Sequence, residues 1–181
     1  MRIAATFAIV LLSTAAAQAS GLVTTDIYNN FNCCAGSGAP YSNLVGSLST
    51  SDIQFGTDTA FHWHPFGLGA FGADMRGELQ VSSPSTYTFS VNSDDGAILF
   101  INGAPVVQDG NQHPPTLVTG SATLSAGLYP FEVQYFQNGV GDSGVDVNLP
   151  AGVVYAFVPE PASALLAGLG LAALVGFRRR H

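Results

Sequence analysis

The 181-residue chain contains no lysine. Four of its five arginines, Arg2, Arg178, Arg179 and Arg180, sit at the two ends, so Arg76 is the only base between residues 20 and 157. Against it stand eleven acids, the chain's 12 less Glu160, for a formal net charge of −10 over that stretch. Neutralising phosphates requires Lys and Arg, so this balance excludes nucleic acid as a partner; an acidic surface suits cations instead. Cysteine is scarce too. Cys33 and Cys34 are neighbours, and a trans peptide holds adjacent Cα atoms at about 3.8 Å, below the usual disulfide span of about 4.4 to 6.8 Å. A vicinal ring, an intermolecular link and two free thiols all remain open, and no nearby residue supplies the base that a catalytic cysteine needs. Between residues 20 and 158 there is no helical periodicity and no internal repeat.

What is present at the two ends reads as addressing rather than folding. Arg2 precedes an apolar run from Ile3 to Leu12, and Ala17-Gln18-Ala19 has the small-x-small pattern of a signal-peptidase site. Residues 1–19 are therefore expected to be a signal peptide cleaved after Ala19, with signal peptidase as a processing partner. At the other end, Pro159-Glu160-Pro161 introduces a 16-residue run from Ala162 to Phe177, closed by Arg178, Arg179 and Arg180. As a helix that run reaches about 24 Å, short of a roughly 30 Å hydrocarbon core. The arginines belong on the cytoplasmic side, which places everything upstream outside the inner membrane. A single-pass tail anchor of marginal length fits these features. The three-part order also resembles the PEP-CTERM sorting signal of exopolysaccharide-producing Gram-negative bacteria, over residues 158–181. That resemblance implies cleavage near Pro159 to Pro161 by an exosortase-type membrane enzyme, a transient inner-membrane anchor, and delivery to the cell surface or matrix.

Residues 20–157 have the length of one domain. Period-2 alternation recurs between clusters of Gly, Pro, Ser and Asn. Leu79 and Val81 share one face, as do Tyr87, Phe89 and Val91 with Thr86, Thr88 and Ser90 opposite, and likewise Phe131, Val133 and Tyr135, then Val145, Val147 and Leu149. Asn102-Gly103 accepts the positive φ of a type I′ hairpin turn. Many short strands without crossover helices predict an all-β fold, a single antiparallel sandwich or barrel. Gly21 to Gly72 shows only scattered hydrophobic points and predicts irregular strands and long loops over the sandwich.

The densest chemistry is in "NSDDGAILFING", Asn92 to Gly103. Asp94-Asp95-Gly96 is ordinary turn chemistry. It is also a pair of hard oxygen donors of the kind calcium takes six to eight of, although neighbours on an extended strand point to opposite faces. A second oxygen-rich stretch, "QNGVGDSG", runs from Gln137 to Gly144. Over about residues 77–152 the chain resembles the protective-antigen-type (PA14) β-sandwich module of bacterial toxins, glycosidases and yeast adhesins. The matching features are Tyr87 and Phe89 before Ser93-Asp94-Asp95-Gly96, Asn102-Gly103 in the hairpin, and Gly127, Tyr129 and Tyr135 in the late strand. In sugar-binding members two consecutive aspartates joined by a cis peptide hold calcium with a later loop. The resemblance thus implies calcium on Asp94, Asp95, the Asn138 side chain, the Val140 carbonyl and Asp142, with Gly139 and Asp142 rimming a bound carbohydrate. The loop is one residue longer between Tyr135 and Asn138 than in the adhesins.

Other candidates carry less. His62-Trp63-His64 would place two imidazoles on one face of a strand, half of a zinc site, or form an edge strand with Trp63 in the core or stacked on a sugar. His113 reads as an exposed loop residue. Asp74 and Glu78 flank Arg76, whereas a glycosidase pair needs carboxyls about 5 to 9.5 Å apart. The expectation is an exported, non-enzymatic surface or matrix protein that binds exopolysaccharide or a surface glycan through calcium; the alternative is a structural surface or biofilm-matrix protein of the same fold with neither metal nor sugar.

Overall fold

The computed structural model describes residues 22–31 and 41–156. Ala17, Ala19, Cys33, Cys34 and the tail from 158 to 181 lie outside them, so the expectations attached to those residues stand on the sequence.

The described residues form ten antiparallel strands: β1 (Val23–Asn30), β2 (Ser42–Thr50), β3 (Ala70–Val81), β4 (Ser85–Asp94), β5 (Ala97–Ile101), β6 (Ala104–Asp109), β7 (Thr116–Leu124), β8 (Gly127–Asn138), β9 (Gly144–Asn148) and β10 (Val153–Ala156). Six of them order as β2-β1-β3-β8-β5-β6, and β10 pairs the far end of β3, completing a seven-stranded sheet. A three-stranded sheet, β7-β4-β9, packs against it. Among the described residues the only helical turn is a 3-10 turn at Pro65–Gly67, and no helix is long and apolar enough to cross a membrane.

Alternation decides which face each strand buries. Tyr87, Phe89 and Val91 of β4 point inward while Thr86 and Thr88 face solvent, where Thr86 pairs with Thr123 and Thr88 with Ser121. From the larger sheet, Ile27, Ala73, Met75, Leu99, Val133 and Tyr135 meet them in one core. Phe71, Phe89 and Tyr135 are fully buried, each worth roughly 1.5 to 3 kcal/mol or more of transfer free energy. The β5–β6 connection is the expected Asn-Gly turn, with φ of 51° at Asn102 and 75° at Gly103.

Between Gly21 and Gly72, β1 and β2 pair with a register shift at Ile27/Tyr28, β2 at the edge of the large sheet and β1 inside it, and a long excursion over 51–69 leads to β3, in line with the expected irregular strands and long loops. One expectation needs correction: His62-Trp63-His64 is not an edge strand. It lies in an excursion between β2 and β3, where His62 makes a single bridge to Ser143. Trp63 is in the core, as one of the readings had it, stacked on Phe55 at 4.0 Å. It is therefore not available as a sugar platform.

Candidate functional site

Two connections cross between the sheets at the same end of the sandwich. After Asp94, which pairs with Gly144 across the small sheet, the chain passes through Asp95 and Gly96 into Ala97, which pairs with Tyr135 across the large one. The second crossing runs the other way, from Asn138 at the end of β8 to Gly144 at the start of β9. Register alone therefore brings the Asp-Asp stretch beside the 139–143 loop. The Asp94–Asp95 peptide is cis.

A buried polar network binds the crossings together. The Tyr135 hydroxyl, fully buried, donates to the Asp94 carbonyl at 2.5 Å and accepts from the Gly144 N–H at 3.0 Å. Burial is the main cause that drives its pKa well above the ordinary value, so it stays a neutral donor. Gln137, buried at 3% exposure, accepts the Asp95 N–H on its side-chain oxygen at 3.0 Å and donates its Nε2 to the Asp142 carbonyl at 2.9 Å. The Asn138 N–H donates to Asp95 Oδ2 at 2.8 Å. Gln137 and Tyr135 were not foreseen as parts of the site. The only signal for Gln137 was the extra residue between Tyr135 and Asn138, and for Tyr135 that a buried phenol needs a partner.

The acids are shielded yet incompletely partnered. Asp94 and Asp95 are 8% and 5% exposed. Among the described residues no hydrogen-bond donor meets the Asp94 carboxylate, and Asp95 Oδ1 has none either. Burial, then the charges of Asp95 and Asp142, raise the Asp94 pKa from 3.8 to about 6, with His113 opposing. His113 is not the exposed residue the sequence suggested. Its side chain is 16% exposed, and Nε2 lies 2.9 Å from Asp109 Oδ2 at an angle that completes no hydrogen bond.

The remaining predicted residues divide. Asn138 joins the pair through its backbone N–H on Asp95 Oδ2, while its side-chain Nδ2 donates to Gln112 Oε1 at 3.2 Å. Asp142 is close enough for its charge to act on Asp94 but lies on the rim. Its side chain is 60% exposed and faces His62, its carbonyl already accepts from Gln137, and no three His, Cys, Asp or Glu side chains converge into a metal cluster among the described residues. Val140 is 90% exposed and lies against Gly69. A Cβ added at Gly139 or Gly141 would meet nothing within 4 Å, so the rim is open. Asp74 and Glu78 lie four residues apart on β3, about 13 Å at strand rise and outside the range of a glycosidase pair.

Two mostly buried aspartates with free carboxylate oxygens therefore lie beside an open rim, and carboxylate oxygen is the hard donor type that calcium takes. The chain belongs to the PA14 domain family, whose model matches residues 18–154, and residues 157–180 match the PEP-CTERM protein-sorting motif. No curated protein matches the chain in sequence. Among solved structures, a β-glucosidase from Kluyveromyces marxianus is similar at 13% identity and a TM-score of 0.54, over 78% of this chain and 17% of that one. A PA14 sugar-binding domain from an RTX adhesin is similar at 17% and 0.51, over 71% and 86%. The epithelial adhesin 6 A domain from Candida glabrata, solved with Galβ1-3GlcNAc, is similar at 13% and 0.50, over 76% and 84%. The chain thus spans less than a fifth of the glucosidase, and these identities bear on the fold alone.

Proposed function

We propose that this is an exported surface or matrix protein that binds carbohydrate, exopolysaccharide or a surface glycan, through a calcium ion held by Asp94, Asp95 and Asn138 with the Val140 carbonyl, and that it breaks no bond. The observation that carries this is the pair of adjacent aspartates, 8% and 5% exposed, whose free carboxylate oxygens meet no hydrogen-bond donor of the described residues, in a domain with one arginine. Two buried carboxylates side by side are costly unless compensated, and a dication is the compensation the site favours. When bound, calcium would offer its outward coordination positions to a sugar's hydroxyls. Asp142 and Gly139 would rim that sugar, with loop shape selecting which sugar fits. The likeness to a PA14 sugar-binding domain and to an adhesin domain solved with Galβ1-3GlcNAc supports the reading, and the sorting motif supports export by way of an exosortase-type enzyme. Per-site affinity is expected to be weak, because few ligand atoms are buried.

The test is a glycan array probed with the full-length chain in detergent, with and without chelator. Binding that vanishes with chelator and in Asp95→Asn supports the proposal. Binding indifferent to both refutes the calcium part, and no binding at all leaves the structural matrix role.

A further inference from the structure

We propose that His62, on the excursion between β2 and β3, is a specificity-determining residue of the carbohydrate site and selects neutral sugars with adjacent free hydroxyls over acidic ones. This rests on the carbohydrate reading above.

The excursion is fastened to the rim rather than draped over it. The Trp63 N–H donates to the Ser143 carbonyl at 3.0 Å, and the Ser143 N–H returns to the Phe61 carbonyl at 2.8 Å. One turn earlier, the buried Asp146 carboxylate of β9 accepts from the Gly56 N–H at 2.7 Å and from the Thr57 N–H and hydroxyl at 3.0 and 2.6 Å. His62 is thus held on both sides next to the 139–143 loop.

Its ring orientation sets what it offers. Nδ1 lies 2.7 Å from the Ala60 carbonyl, which can only accept, so Nδ1 carries the proton and in the neutral ring Nε2 is a bare acceptor. That nitrogen stands 3.9 Å from Asp142 Oδ1, too far for a hydrogen bond, with the two side chains 69% and 60% exposed. The rim therefore presents two acceptors side by side that no described protein donor satisfies. Neighbouring sugar hydroxyls can donate one hydrogen to each. A uronate or sulfate group brings negative charge against Asp142 and no donor, so it is disfavoured.

The test uses the calcium-loaded full-length chain in detergent and a panel of methyl glycosides, neutral hexosides and uronides, read by calorimetry. His62→Ala is expected to weaken binding of the preferred hexoside by about three- to tenfold, the size of one net hydrogen bond, and to leave calcium binding unchanged. His62→Gln, which keeps an acceptor, restores most of that loss, whereas His62→Phe, which keeps only the ring, does not. If His62→Ala fails to fold, the Gln and Phe pair decides. Hexoside affinities and ranking unchanged in these variants would overturn the role of His62 while leaving the carbohydrate reading intact. A wild-type chain that takes calcium but no glycoside would overturn both.

Discussion

Gly96, immediately after the aspartate pair, is a position where a single added carbon is poorly tolerated. A Cβ there would come within 2.6 Å of the Asn111 carbonyl, 2.7 Å of the Phe136 ring and 2.8 Å of the Asp109 carbonyl. Two of those three obstacles are backbone, so Gly96→Ala is expected to destabilise the domain by about 1 to 3 kcal/mol, read as a lower urea midpoint. Asp74 makes a different claim. It is 2% exposed on the outer face of the large sheet, paired with Arg76. Burial and the charge of Glu132 nevertheless outweigh that guanidinium and raise its pKa from 3.8 to about 7. The folded state then holds a proton that the unfolded state releases, so this group's stabilisation is complete below about pH 4 and is lost as pH rises through about 7. Melting temperatures of Asp74→Asn should therefore fall less than wild type's between pH 5 and pH 8. An equal fall in both would contradict the shift.

At the scale of elements, the strands of the sandwich were legible because alternation is a local property. Leu79, Tyr87, Phe89, Val91, Val133 and Val145 all bury as their spacing predicts, and the aspartate pair stood out as two acids before a glycine. The excursion from Gln54 to Leu68 was not legible. Its structure comes from distant partners: Asp146, Ser143 and Val145 lie some 80 to 90 residues away in sequence, and no local pattern announces them. The same holds for Gln137, whose importance arises from reaching both crossings at once. Asp146→Ala removes the acceptor of the Gly56 and Thr57 donors. It is expected to cost about 1 to 3 kcal/mol through donors left without a partner, and to raise amide hydrogen exchange across residues 54–64 while β3 and β8 stay protected. Exchange that rose uniformly would show that the excursion is not held by this carboxylate.

Across the whole molecule, the PA14 domain and the sorting motif occupy separate stretches of the chain. The sandwich carries Asp94 and Asp95 at the crossing between its sheets, with Arg76 on the large sheet as the only Lys or Arg of residues 20–157, and the PEP-CTERM motif occupies residues 157–180. Replacing Glu160 with Ala should leave unprocessed chain in the inner membrane fraction, seen as a larger band on immunoblotting; normal release would speak against sorting through that motif. The central claim concerns the other end, where Asp94, Asp95 and Asn138 converge. It is tested most directly by calorimetric titration of calcium into the full-length chain in detergent at pH 7.5, beside Asp94→Asn and Asp95→Asn. The account predicts a saturable heat of one ion per chain that is absent from both variants. No heat in the wild type, or the same heat in all three, would contradict it.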